Sequence, residues 1–187
     1  CLLLKEKGLN PSMSTHLEID PDNGIHCTTG SLGHGLPIAT GMALARSIKD
    51  QKGTIYVMMS DGECQEGTTW ESLLIGAKHK LHNLTVIIDY NNIQALTTLS
   101  DGLPLDDLAL KFRAFNWDCD VIEDGHSFEE IIDVFQRTGN RTRRKPRSII
   151  ANTTKSKGIK SFENDPRWHA RKIKGEELEI GKKELGL

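Results

Sequence analysis

Apolar residues gather in short runs that end in turn chemistry. Ile55-Tyr56-Val57-Met58-Met59 stops at Ser60-Asp61-Gly62, and Leu84-Thr85-Val86-Ile87-Ile88 stops at Asp89-Tyr90-Asn91-Asn92-Ile93. Runs this short, bounded by polar turns, predict strands. Between them, after the polar stretch Glu63-Cys64-Gln65-Glu66-Gly67, residues Trp70, Leu73, Leu74, Ala77 and Leu81 recur at helical spacing. Strand, turn, helix, strand is a right-handed βαβ unit with parallel strands. Upstream, Pro37 suits a first helical turn, and Ala39, Met42, Ala43 and Ile48 form one apolar face. Downstream, Pro104 and Asp107 start a helix with Leu108, Phe112 and Phe115 on its core side. Residues 117–122 predict a strand, Phe128, Ile131, Ile132 and Phe135 a helix, and residues 147–153 the last core strand. The charged tail, 174–187, reads as helical and peripheral. The sum is an α/β domain, doubly wound, with a mostly parallel sheet and helices on both faces.

In such a fold Asp61 and Asn91 stand just past the carboxyl ends of neighbouring strands, where open α/β sheets bind ligands. Asp61 offers a hard anionic oxygen and Asn91 a neutral carbonyl oxygen. The turn after Asn91 can aim the main-chain carbonyl of Ile93 the same way. Three oxygens with one charge suit Mg²⁺ that also takes phosphate oxygens and water. Gly62 lets backbone approach a phosphate, and the start of the next helix lends amide donors. Asp-Gly and Asn-Asn are also ordinary turn pairs. Their joint placement at two strand ends, thirty residues apart, favours a diphosphate–Mg²⁺ anchor.

Composition sets the frame for that site. The chain has 187 residues, 37% hydrophobic and 27% charged, which suits one domain spanning residues 1–187 with a sizeable core. A formal net charge of −2 implies neither a nucleic-acid nor a membrane partner. Six basic residues fall within 137–147, but without interleaved aromatics they read as a solvated loop. Cys1, Cys27, Cys64 and Cys119 have no metal-ligand spacing and suggest free thiols in a reducing, cytoplasmic compartment. No run is long enough to span a membrane, and no signal peptide is recognisable. The first residue is Cys rather than Met, so the chain is expected to lack its true N-terminus. The glycines at 30, 33 and 35 do not form a dinucleotide fingerprint, but they permit close approach to a flat ligand. Thr154-Lys155-Ser156-Lys157-Gly158 follows a strand, yet it lacks the first glycine and the terminal Lys-Ser/Thr of a Walker A loop. Asp124-Gly125-His126 reads as a plain turn with a structural histidine.

Asp61-Gly62, with Asn91 after the next apolar strand, resembles the thiamine diphosphate motif. The fuller text Asp61-Gly62-Glu63-Cys64-Gln65-Glu66-Gly67 with Trp70-Glu71 is similar to the transketolase family, above all to the N-terminal subunit of transketolases split into two chains. The resemblance runs from about Ser14 to the C-terminus. It implies Asp61, Asn91 and the Ile93 carbonyl as Mg²⁺ ligands, with Gly62 and Glu63 at the diphosphate. The match to Thr-Thr-Gly-Ser-Leu-Gly-x-Gly implies that Gly30, Ser31 and Leu32 border the thiamine pyrimidine. It implies further that His16 contacts donor-ketose hydroxyls and that His169, in Trp168-His169, lies over the diphosphate and the substrate hydroxyls. Glu66 and Glu71, about 500° apart on a helix, are implied in an interface carboxylate network and proton relay. Three departures stand out. Ser60 replaces the usual glycine and is expected to crowd the phosphates, so that Ser60→Gly would tighten cofactor binding. Ala170-Arg171 replaces Gly-Lys, and His34 is glutamine in many relatives.

The resemblance implies a transferase that moves a two-carbon ketol unit between sugar phosphates. It also implies a C-terminal partner subunit carrying the pyrimidine-binding domain and its glutamate, and a two-plus-two assembly. Apolar surface around Leu32, Leu36 and Trp70 is expected to await that partner. Other thiamine enzymes, such as an α subunit of a 2-oxo acid dehydrogenase or a deoxyxylulose phosphate synthase, share the motif. A non-catalytic cofactor-binding subunit remains a reading of a different class.

Overall fold

The computed structural model describes residues 16, 18–23, 25–95, 97–137 and 145–187. The sheet is built from β1 (Ile55–Ser60), β2 (Leu84–Tyr90), β3 (Asp118–Ile122) and β4 (Arg147–Asn152), in the order β1-β2-β4-β3. Every pairing is parallel. The helices are α1 (Gly35–Ile48), α2 (Gly67–Lys78), α3 (Leu108–Ala114), α4 (Phe128–Gln136) and α5 (Glu176–Glu184), with short 3₁₀ turns at Gly62–Gln65 and Pro166–His169. All four expected strands and the helices between them are present. The pairing register sets Ser60, Asp89 and Ala151 side by side, so the carboxyl ends of β1, β2 and β4 form one level edge.

Parallel strands covered on both faces read as near-continuous apolar runs; β2 does, while β4 buries Arg147 and Ser148 ahead of Ile149 and Ile150. One face buries Met59, Val86, Ile88 and Ile150 against Leu36, Ala39 and Ala43 of α1, Leu73 of α2, and Phe112 of α3. The other sets Ile122 and Ile149 against Val134 of α4. Four residues of the expected apolar helix patterns are not in it: Ile48 is 77%, Phe128 76%, Leu74 60% and Ile132 52% exposed. Ile48 and Phe128 are the last residue of α1 and the first of α4, where the helix has run past the sheet, whereas Leu74 and Ile132 lie on the outer side of mid-helix turns. Leu36 differs the other way, being wholly buried, and Trp70 packs on Phe112 and Phe115. Of the three residues expected to await a partner, Leu32 alone is largely exposed.

Two contacts lock the layers. Trp117 is buried and its indole N–H donates to the Leu73 carbonyl at 2.9 Å. A Cβ on Gly76 of α2 would sit 2.8 Å from that ring. The hydrogen bond stops the ring from yielding, so Gly76→Ala should lower unfolding stability by about 1–3 kcal/mol, despite alanine's helix propensity; a urea titration reads this directly. Arg147 closes the basic run read as a solvated loop and opens the expected last strand; it is in β4, buried and paired with Asp120 at 2.8 Å while donating to the Val134 carbonyl. The rest of the basic loop, 138–144, lies outside the described residues, as does Cys1. Cys27, Cys64 and Cys119 are free thiols.

Candidate functional site

The site is assembled where β1 and β2 end. Asp61 follows β1 and is 1% exposed. Its Oδ1 accepts from the Gly62 amide at 2.7 Å, and its Oδ2 from the amides of Asn91 at 2.9 Å and Asn92 at 2.6 Å. One carboxylate thus fastens the turn after β1 to the turn after β2. Burial pushes the Asp61 carboxyl above its ordinary range, against the three amides that pull it down, and Asp89 adds to the rise. Asn91 closes its own turn by accepting the Ile93 amide on Oδ1 at 3.0 Å, and Asn92 takes a left-handed conformation with φ 60. The Ile93 carbonyl accepts no hydrogen bond from the described residues.

A second acid bridges further along the edge. Asp89 accepts from the Asn91 side-chain amide at 3.4 Å and from the Thr153 hydroxyl after β4. Sequence reasoning does not single out Asp89; its signal is a lone carboxylate closing an otherwise apolar strand.

The glycine loop is held onto the same turn. Gly30 and Gly33 have φ of 139 and 79. Glu63 Oε1 accepts from the Gly33 amide at 3.0 Å, and the Thr68 hydroxyl donates to the Gly33 carbonyl at 2.6 Å. A Cβ on Gly33 would lie 2.5 Å from the Thr68 hydroxyl and 2.7 Å from Glu66 Cβ, so only glycine allows this approach. Burial raises the Glu63 carboxyl, while the Gly33 and Gly35 amides oppose it. Glu63, expected beside the diphosphate, here positions the loop. Its neighbour Cys64 is buried, and that burial, with Asp61 and Glu63 nearby, pushes the thiol up to about 12, which removes it as a nucleophile.

The loop opens onto a groove of about 830 Å³ lined by His16, Gly30, Ser31, Leu32, Ser60 and Glu63, among others. His16 packs its ring on Gly30, where a Cβ would come within 3.1 Å of it. His169 ends the 3₁₀ turn Pro166–His169. Burial and the nearby Lys155 hold its imidazole below the ordinary histidine value, and Asp61 pulls it the other way. It is therefore neutral at neutral pH and can accept a proton. Trp168 stacks on Phe162 at 4.1 Å, and Arg171 lies over the Trp168 ring at 5.3 Å while pairing with Glu177. The Ala170-Arg171 departure thus has a packing partner. His126 is structural: its Nε2 accepts the Thr154 amide at 2.8 Å.

Glu66 and Glu71 are not brought together. Both are exposed, Glu66 at the N-terminus of α2 and Glu71 one turn on, beside Leu74 at 60% exposure and Ile75 at 46%. Among the described residues no group of three His, Cys, Asp or Glu side chains could hold a metal. A metal site with one carboxylate, one amide oxygen and one main-chain carbonyl has a different donor set.

Comparisons with known proteins find similar chains and a similar fold. The family model described as "transketolase, thiamine diphosphate binding domain" matches residues 4–187. A subunit of an apulose-4-phosphate transketolase from Actinobacillus succinogenes is 39% identical over 162 residues, covering 87% of this chain and 58% of that protein. A subunit of a 6-deoxy-6-sulfo-D-fructose transketolase from a Clostridium species is 36% identical, covering 86% of this chain and 58% of that protein. The chain spans a little over half the length of these curated relatives. The transketolase structure from Campylobacter jejuni superposes with a TM-score of 0.77 at 28% identity, covering 85% of this chain and 26% of that one. No described helix is long and apolar enough to cross a membrane.

Proposed function

The chain belongs to the transketolase family, as its thiamine diphosphate-binding domain, and on that premise we propose that it is the thiamine diphosphate- and Mg²⁺-binding subunit of a two-subunit, cytoplasmic transketolase. Residues 1–187 act in this reading as one domain. What supports it most is the Asp61 carboxylate, buried at the junction of two parallel strand ends and clamped by three amides. Asp61 Oδ1 and Asn91 Oδ1 each accept one hydrogen bond and keep a lone pair, and the Ile93 carbonyl accepts none from the described residues. That donor set fits Mg²⁺ completed by phosphate oxygens and water. A Cβ on Gly62 would lie in ordinary contact with Gln94 Cβ at 3.8 Å and Ser60 Oγ at 3.9 Å, so the glycine keeps this turn free of a side chain.

When bound, thiamine diphosphate supplies the carbon nucleophile that takes a two-carbon ketol unit from a ketose phosphate and passes it to an aldose phosphate. The chain's own residues do the rest on this side of the site. Asp61, Asn91 and Ile93 hold the metal. Gly30, Ser31 and Leu32 border the pyrimidine across the groove, and Gly62 meets the diphosphate. His16 orients the hydroxyls of the donor sugar. His169, neutral, would accept and return a substrate proton. Glu66, Glu71 and the apolar Leu74 and Ile75 face outward from α2, where a second subunit would cover them. The names of the relatives point to the ketose family, apulose 4-phosphate in one and a sulfonated fructose in another. A C-terminal subunit with the pyrimidine-binding domain completes the site in a two-plus-two assembly.

Calorimetric titration of thiamine diphosphate into the chain, with and without Mg²⁺ and with and without the partner, tests the cofactor assignment. Saturable binding that requires Mg²⁺ and tightens with the partner is expected. Binding indifferent to Mg²⁺ would contradict it.

A further inference from the structure

Trp117 and Trp168 are held in different ways. The Trp117 indole N–H donates to the Leu73 carbonyl, whereas the Trp168 indole N–H, itself buried, donates to no described residue. The Trp168 ring is therefore oriented by the groups that touch it. Phe162, 4% exposed, stacks on it at 4.1 Å between centroids, and the Arg171 guanidinium lies over it at 5.3 Å. His169 is the next residue, at the end of the same 3₁₀ turn. We propose that Arg171, clamped by Glu177 of α5, is a positioning residue: it fixes the Trp168 ring and through it the His169 imidazole. Its consequence for turnover rests on the proton-transfer reading of His169 given above.

The contacts close a circuit. Asp165 starts the turn: its carboxylate accepts the Arg167 amide at 3.0 Å and pairs with the Arg167 guanidinium at 2.6 Å, and its carbonyl accepts the Trp168 amide at 3.1 Å. Beyond the turn, Gly175 takes φ 56 and ψ −130, a combination that favours glycine, and the chain reverses into α5. The reversal brings Glu177, six residues on, back to Arg171 at 2.6 Å. α5 is itself docked on the ring that carries Trp168. A Cβ on Gly181 would lie 3.6 Å from Phe162 and 3.5 Å from Ile159, and the Ser161 amide donates to Glu184 at 3.2 Å. Phe162 thus supports both the Trp168 ring and the helix that holds Arg171 against that ring. The tail expected to be peripheral is coupled in this way to the loop that carries His169.

The two halves of the Arg171 contact need each other. An exposed ion pair by itself fixes little, because both side chains keep alternative rotamers. The Arg171 side chain is 50% exposed, but that of Glu177 is 29% exposed and sits in the first turn of a packed helix, so its carboxylate is a stationary partner. A planar guanidinium can meet a carboxylate along its edge and an indole with its face at once, which a compact ammonium cannot do as well. Ala170, between the turn and Arg171, has φ −136 and needs no glycine there. The Ala170-Arg171 departure from Gly-Lys is therefore accounted for at both positions.

The test is NMR on the full chain labelled with 5-fluorotryptophan. Resonances are expected from Trp70, Trp117 and Trp168, the last assigned by its loss in Trp168→Phe. Arg171→Ala and Glu177→Gln should each shift and broaden the Trp168 resonance and leave the other two in place. Both should also move the His169 imidazole signals, assigned with His169→Gln, and Arg171→Lys should fall between them and wild type. In the enzyme reconstituted with its partner, Arg171→Ala should lower kcat about tenfold and change KM less than about twofold, because a displaced proton carrier costs rate and not binding. Unmoved Trp168 or His169 signals in Arg171→Ala would overturn the proposal. So would wild-type kcat for Arg171→Ala in an enzyme that loses turnover in His169→Ala. Moved Trp168 and His169 signals in an enzyme whose turnover is indifferent to His169→Ala would support the positioning and refute the proton-transfer reading instead.

Discussion

Asp61→Ala should abolish Mg²⁺-dependent binding of thiamine diphosphate, lowering affinity more than about 100-fold, because it removes the only charged ligand of the proposed metal site. It should also destabilise the chain. The carboxylate accepts three amides, at 2.7, 2.9 and 2.6 Å, and is 1% exposed. Alanine strands those donors in a buried junction, at a cost of about 3 kcal/mol or more. Asp61→Asn separates the two roles. It keeps an oxygen acceptor for part of the clamp but no charge, so it should recover part of the stability and little of the binding. Denaturant unfolding paired with calorimetry reads both. Undiminished cofactor binding by Asp61→Ala in the presence of Mg²⁺ would remove Asp61 from the site.

His169→Ala should lower turnover of the reconstituted enzyme by about 10²–10⁴-fold and change cofactor affinity far less, the pattern of a group that moves a proton. The direction of its titration adds a second readout. Burial, with Lys155 nearby, holds the imidazole below the ordinary value of about 6.5. The neutral form is therefore kept as pH falls through that value, and activity that depends on it should fail only at lower pH. The alanine variant should lose this acid limb from its residual rate. Full activity with an unchanged pH profile would show that the Trp168 loop, with Arg171 against its ring, places His169 elsewhere.

Much of this was legible because the central βαβ unit states itself twice, once in periodicity and once in turn chemistry. β1 and β2 end at Asp61-Gly62 and Asn91-Asn92 as the sequence implies, since a buried parallel strand is an uninterrupted apolar run and stops where polar residues begin. The burial of individual helix residues was less legible. Ile48 and Phe128 fit their apolar faces, but periodicity gives a face and not the point along the helix where the sheet stops. The hydrogen-bond partners were hidden for another reason. Glu63 reaches Gly33 across thirty positions, and Asp89 reaches Thr153 across sixty-four. Nothing local records such contacts. The same holds for Arg147, which sits in a basic run but pairs with Asp120 on the next strand. Ser60 is the instructive case. A comparison of motifs marks it as a misfit, while the geometry shows its oxygen capping Glu63.

The central claim is that this chain is one half of a divided site. In that reading it carries the proposed metal and diphosphate ligands, and it leaves Leu32, Leu74 and Ile75 on the surface. The direct measurement is ketol transfer from a ketose phosphate to an aldose phosphate, followed together with native mass. It should be made on the 187-residue chain alone, then on mixtures with the C-terminal partner and with any N-terminal segment the natural protein carries. A divided site predicts no transfer by the chain alone and transfer that appears with a two-plus-two complex. Transfer by the isolated chain as a monomer would contradict it.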